Sequence, residues 1–182
     1  MLRGHTLYVI QNFTRQITKL RLSRRIHSQD PLRGLIAREH LPGPDLQSDA
    51  ALADYIRRQI EAVGVRCEVV ESEPGRANLR AVLKGDGSAR PLLLMSHTDV
   101  VPVEPDLWSR PPFSGDVVDG YVWGRGAVDM KQWGAWHLTI FLHLACTRTP
   151  LKRDVVLLAT ADEEDGSYKG MRWIAEKMPQ WL

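Results

Sequence analysis

Pro91-Leu92-Leu93-Leu94-Met95-Ser96-His97-Thr98-Asp99-Val100-Val101-Pro102 is the stretch that decides the fold class. The apolar run Leu92 to Met95 is too short for a helix and reads as a strand buried on both faces, central in its sheet. It opens directly onto a histidine and an aspartate. A second segment has the same construction: Arg153 to Thr160 carries Val155-Val156-Leu157-Leu158 and runs into the acidic turn Asp162-Glu163-Glu164-Asp165-Gly166.

Working outward from these two strands, Ala51, Leu52, Tyr55, Ile56, Ile60 and Val63 recur at helical spacing from Asp49 to Val63, after a Pro-Gly-Pro break at 42–44 and before Gly64. Cys67 to Val70 and Asn78 to Leu83 are further strands, and Gly85-Asp86-Gly87 supplies a turn. Pro111 to Trp123 alternates around Asp119-Gly120, the signal of a hairpin. Residues 131–146 read as a helix with Trp133, Trp136, Ile140 and Leu144 available for packing, and about Ser167 to Met178 as a last helix. His137 and His143 stand six positions apart and share no helical face, so they are packing or surface residues rather than a metal pair. Helices alternating with buried strands predict an α/β fold, a mixed sheet flanked by helices, mixed because of the hairpin.

Composition narrows the function. The 182 residues carry 24 basic and 22 acidic side chains, a net charge of +2, too balanced for a nucleic-acid or membrane-surface protein. A small-molecule substrate is the expected partner. Cys67 and Cys146 are the two cysteines and form no CxxC pair, which excludes a disulfide framework and a thiolate zinc site and fits a reducing cytoplasm. No apolar run approaches the roughly 20 residues that span a bilayer. From Met1 to Gln29 there is no acidic residue, whereas Arg3, Arg15, Lys19, Arg21, Arg24 and Arg25 are basic. Organellar import is the alternative this composition raises; Ile10, Phe13, Ile17 and Leu20 at helical spacing favour a surface helix.

Three polar groups fall just beyond strands or a glycine turn: His97 with Asp99, Asp129 after Gly124-Arg125-Gly126, and Glu163 with Glu164. The crevice outside the carboxyl ends of the strands is where open α/β sheets bind ligands, so residues distant in sequence converge there. Continued extended backbone puts His97 and Asp99 on one face, where the carboxylate accepts the second ring N–H and makes the other nitrogen a better zinc ligand. A plain polar turn would also read His-x-Asp, and Asp129 alone would serve equally as the N-cap of the helix after it. The adjacent glutamates bring repulsion without packing gain. A division of labour accounts for them: one coordinates a metal, and the other accepts a proton from metal-bound water. A phosphate site at Gly124-Arg125-Gly126 is disfavoured, since the pattern is neither GxGxxG nor a P-loop.

Together with Trp108, Pro112-Phe113 and Gly124-Arg125-Gly126-Ala127-Val128-Asp129-Met130-Lys131, these motifs resemble, in order and spacing, the zinc-dependent family that contains aminoacylase, acetylornithine deacetylase, succinyl-diaminopimelate desuccinylase and glutamate carboxypeptidase. The likeness covers roughly residues 50–182. Residues 1–45 lack the family's usual opening and stay unassigned; 46–182 correspond to the amino-terminal portion of the catalytic domain. The resemblance implies a zinc aminopeptidase/carboxypeptidase-like catalytic domain, here incomplete. It implies a dizinc site in which His97 binds one ion, Asp129 bridges both and Glu164 binds the other, with Glu163 as general base, Asp99 orienting His97 and a cis bond from Asp129 to Met130. Cobalt or manganese would suit the same ligands. The implied reaction is hydrolysis of the amide bond of an N-acyl amino acid or small peptide next to a free carboxylate.

Two ions sharing one bridging carboxylate call for about five protein ligands, and three are matched. The family's further acidic ligand and last histidine, and its inserted lid and dimerisation domain, have no counterpart here. A homodimer is therefore expected only of the complete protein. Two readings stay open: a dizinc amidohydrolase seen in part, and a non-catalytic α/β remnant or binding module of the same ancestry.

Overall fold

A computed structural model describes residues 31–36 and 49–182; the N-terminal basic helix and the break at 42–44 lie outside the described residues. The elements are α1 (Pro31–Ile36), α2 (Asp49–Glu61), β1 (Cys67–Glu73), β2 (Arg76–Leu83), β3 (Leu92–His97), β4 (Val117–Val118), β5 (Tyr121–Val122), α3 (Lys131–Thr147), β6 (Val155–Thr160) and α4 (Met171–Lys177). Four strands form one sheet in the order β1-β2-β6-β3. The pairs β1/β2 and β2/β6 are antiparallel and β3/β6 is parallel, so the sheet is mixed. The antiparallel character comes from β1 and β2, not from the hairpin: β4 and β5 make a separate two-stranded ribbon. Its turn at Asp119 and Gly120 has φ of 52° and 82°, the primed geometry that matches strand twist.

The two faces of β6 define two cores. Val155, Leu157 and Ala159 join Leu79 and Ala81 under α2 and α3, where Leu52, Ile56, Ile60, Leu138, Phe141 and Leu142 are buried. Leu158 on the other face packs with Ile174 of α4 and with Trp181. Each such side chain contributes roughly 1.5–3 kcal/mol on leaving water. Spacing of four along α2 places Leu52, Ile56 and Ile60 on one stripe. Gly64, with φ of 82°, follows the helix.

Two packing expectations are corrected. The central, fully buried strand is β6; β3 is an edge strand on which Leu92, Leu93 and Met95 remain 44%, 41% and 42% exposed, and among the described residues no strand pairs with its outer side. An apolar run records an apolar environment but not the number of strand neighbours. In α3 the buried face is Lys131, Gln132, Ala135, Leu138, Phe141 and Leu142, while Trp133 and Ile140 are exposed. This helix is apolar nearly all round, so periodicity does not choose its inner face. The last helix begins at Met171 rather than Ser167, because 162–170 forms turns.

No helix among the described residues is long and apolar enough to cross a membrane. Both cysteines are free thiols, Cys146 exposed and Cys67 partly buried. Burial, with Glu61 adding to it, pushes the Cys67 thiol up to about 12. At about pH 8, alkylation followed by peptide mass mapping should modify Cys146 at least about tenfold faster than Cys67. Equal rates would show that Cys67 is not shielded.

Candidate active site

The parallel strands β3 and β6 end side by side, and their ends are knitted together: the Thr98 N–H donates to Thr160 O at 2.8 Å. Just beyond, the buried Asp99 carboxylate gathers three partners. Oδ1 accepts the Glu163 N–H at 3.1 Å, Oδ2 accepts the Glu164 N–H at 2.9 Å, and Oδ1 stands 3.3 Å from His97 Nδ1. Burial alone would raise the Asp99 carboxyl, but the imidazole and the two backbone donors hold it below the ordinary carboxylate range. The nearest partner of His97 Nδ1 is the backbone carbonyl of Asp99, at 3.0 Å, so the carboxylate shares the orienting role with its own main chain. Burial lowers the His97 imidazole, and Asp99, then Asp129, more than offset it and lift the group to about 9.

With Nδ1 so occupied, Nε2 faces outward to the acidic groups. Asp129 Oδ1 lies 3.3 Å from it and Glu163 Oε2 3.7 Å. Asp129 does not cap α3; Met130 takes that position without a side-chain bond, and the Asp129 side chain is 77% exposed. The bond from Asp129 to Met130 is cis, as the resemblance implied. The turn before it needs glycine: Gly126 has φ of 74°, and an added Cβ would come within 2.5 Å of Val100 Cγ1. Glu164 is tied to Asp99 through its main chain, and its side chain lines a cleft with Asp129. Burial raises the Glu164 carboxyl; His97 opposes this, and Asp129, Asp99 and Glu163 reinforce it.

That cleft has a volume of about 480 Å³ and runs from Asp129 and Glu164 along the β4–β5 hairpin, walled by Val101, Trp108, Tyr121, Trp123 and Arg125. Its size is within the roughly 300–1,000 Å³ typical of small-ligand sites. The Arg125 guanidinium sits 5.3 Å from the Trp108 ring centre, and Arg110 5.7 Å from that of Trp123. Sequence reasoning found Trp108 only through the family likeness. It missed Asp49, whose buried carboxylate reaches Thr98, and Lys131, whose Nζ donates to Thr98 O at 2.6 Å. Lys131 was marked only as the last residue of the motif that carries the family likeness and as a lysine at the start of an apolar helix, with no role attached.

Imidazole nitrogen with carboxylate oxygen is the donor set that zinc favours. Two donors of one tetrahedral zinc, with bonds of about 2.0–2.1 Å, stand about 3.3 Å apart. The distance from His97 Nε2 to Asp129 Oδ1 matches that span. Among the described residues, however, no group of three or more His, Cys, Asp or Glu side chains is arranged to hold a metal ion. The donor chemistry fits a divalent cation, and the number of assembled donors falls short of a closed site.

A mixed sheet flanked by helices, with imidazole and carboxylates gathered at its strand ends, is the architecture shared with metallopeptidase catalytic domains. Over residues 93–181 the chain matches peptidase family M20/M25/M40. It is 38% identical over 134 residues to a succinyl-diaminopimelate desuccinylase of Delftia acidovorans, covering 70% of this chain and 34% of that protein. The same-named protein of Bradyrhizobium diazoefficiens is 37% identical over 155 residues, covering 78% and 40%. This chain therefore spans between a third and two fifths of the length of these relatives. Its fold superposes on human carnosine dipeptidase 1 with a TM-score of 0.69 at 18% identity, over 96% of this chain and 38% of that one. An M20 family metallo-carboxypeptidase from Sulfolobus solfataricus gives 0.70 at 24% identity, over 88% and 36%.

Replacing Asp99 by Asn leaves one acceptor oxygen for two backbone donors and puts an NH2 against the other. Asp99→Asn should lower stability by about 1.5–3 kcal/mol in urea denaturation, the cost of losing a buried charge-assisted bond. An unchanged midpoint would mean that the carboxylate does not hold the two strand ends together.

Proposed function

We propose that this chain carries the amino-terminal part of a metal-dependent hydrolase that cleaves the amide bond of an N-acyl amino acid or small peptide next to a free carboxylate. The observation that carries this reading is that His97 Nε2, at the strand ends, faces Asp129 Oδ1 at 3.3 Å and Glu163 Oε2 at 3.7 Å, with Asp99 holding the other side of the ring. His97, Asp129 and Glu164 would hold zinc, Asp129 between two ions, with cobalt or manganese as substitutes. Bound there, the metal supplies a Lewis acid beside the scissile carbonyl and lowers the pKa of water. Glu163, exposed and outside the ligand set, accepts the proton of the attacking water and returns it to the leaving nitrogen. Asp99 keeps His97 and the main chain of both glutamates in register through that transfer. The cleft along Trp108, Tyr121 and Trp123 receives the substrate, with Arg125 as the cation on its wall.

We place the remaining ligands, and the subunit contacts of a homodimer, in the part of the relatives' length that this chain does not span. The relatives' name makes an N-succinyl amino acid the first substrate to assay. Two free cysteines accord with a cytoplasmic setting. The second reading is a non-catalytic α/β remnant or binding module of the same ancestry, which three matched donors out of about five leave open.

Zinc stoichiometry and acyl-amino-acid hydrolysis, measured together, decide between them. In the complete protein Glu163→Gln should lower kcat by roughly 10²–10⁴-fold with metal content unchanged, since it removes a base and no ligand. Asp129→Ala should lose both metal and activity. A fully metallated Asp129→Ala protein would refute the bridging role, and an active Glu163→Gln protein the base assignment.

A further inference from the structure

We infer that Asp49 is a positioning residue for this site: through Thr98 it fixes the backbone on which His97 and Asp99 stand. Asp49 opens α2, where an acidic group favours the positive end of the helix dipole, a role an exposed carboxylate would fill as well. This carboxylate is instead only 2% exposed. Both of its oxygens are used: Oδ1 accepts the Thr98 hydroxyl at 2.7 Å, and Oδ2 accepts Arg76 Nη1 at 3.0 Å. Burial holds its carboxyl above the ordinary range despite these two bonds. A buried carboxylate has to be paired and hydrogen-bonded, so burial makes both of these bonds obligatory and ties the start of α2 to Thr98, which helix capping alone would not require.

Thr98 lies between His97 and Asp99 and is held from three sides. Its N–H donates to Thr160 O at 2.8 Å, which leaves its hydroxyl for Asp49 Oδ1, nearer at 2.7 Å than Thr160 O at 3.0 Å. A hydroxyl has one proton, and a carboxylate is the stronger acceptor. Its carbonyl accepts Lys131 Nζ at 2.6 Å, two residues beyond Asp129. One buried chain of bonds thus runs from α2 through the His97–Asp99 segment to the start of α3, joining the strand end that carries the imidazole to the turn that carries Asp129. A shift of Thr98 moves His97 against Asp129 and Asp99 against the glutamate main chain.

The positioning role stands on contacts among the chain's own residues; only its metal readout rests on the proposed function. Amide hydrogen exchange, followed by NMR on the metal-free 182-residue chain, gives the test. Asp49→Asn and Thr98→Val should each speed exchange of the Thr98, Glu163 and Glu164 amides by at least about tenfold, with Val82 and Val156 at the far end of the β2/β6 ladder unchanged. Thr98→Ser, which keeps the hydroxyl, should behave as the unsubstituted chain. Uniform acceleration at all sites, or none at the three, overturns the inference, and the Thr98 pair decides the matter if Asp49→Asn does not fold. Zinc affinity of the same variants is the second readout and should weaken by about 10–100-fold. If the exchange pattern appears and the unsubstituted chain binds no zinc, the positioning role stands on the exchange pattern, and the metal-dependent reading is decided by the zinc content of the complete protein. Zinc affinity unchanged in variants with the exchange pattern would confine Asp49 to a structural role and overturn the inference.

Discussion

The arrangement depends on one buried carboxylate serving two strand ends. Asp99 follows β3, and the two N–H groups it accepts follow β6. Without it, the main chain of Glu163 and Glu164 would leave the strand with unsatisfied donors and no reason to turn toward His97. Parallel pairing of β3 and β6 makes this economical, because both strands deliver their polar residues to the same edge of the sheet. The tight turn at Gly126 brings Asp129 to the same edge from a third direction. Electrostatics follows from the geometry: the acidic groups raise the basicity of His97, and burial, reinforced by the neighbouring carboxylates, raises the Glu164 carboxyl.

The two strands and the residues at their ends were legible in the sequence because short apolar runs and a period of two leave little choice of conformation. The hairpin was legible for a local reason as well, since Asp-Gly meets the positive-φ requirement of its turn. What the sequence withheld was long-range. An apolar run does not say whether a strand has one neighbour or two, and so Val155–Thr160, not Leu92–Met95, proved central. A helix with Trp133 and Ile140 alongside Leu138, Phe141 and Leu142 offers two apolar faces, and only tertiary contact picks the second, with Leu144 packed at its margin. Asp49 gave no signal, because an aspartate at a helix start is ordinary and its burial depends on Thr98 and Arg76, distant in the chain.

The site divides into a rigid floor and an open front. Asp49, Thr98 and Lys131 are buried and bonded in a chain, and the buried Asp99 holds His97 and the main chain of both glutamates, which together locate His97 closely. Asp129 and Glu163 are exposed and have few bonds of their own. Metal-handling sites need both properties: a fixed first donor, and further donors free to settle around an ion once it arrives. The aromatic cleft continues this open front toward the β4–β5 ribbon, with Trp108 and Arg125 lining the same cleft as Asp129 and Glu164.

The exposed outer side of β3 has a practical consequence. A row of main-chain groups that no described strand pairs, carrying Leu92, Leu93 and Met95, is the kind of edge on which polypeptides add strands indiscriminately, so with that edge open concentrated solutions of this chain would be governed by stickiness before chemistry. The usual remedy is to plant a lysine on the offending strand. Here the strand that invites association also ends in His97, and Met95 lies two residues from it. A solubilising charge at Met95 would alter the electrostatic setting of the imidazole, whereas one at Leu92, at the opposite end of the strand, would leave that setting closer to native.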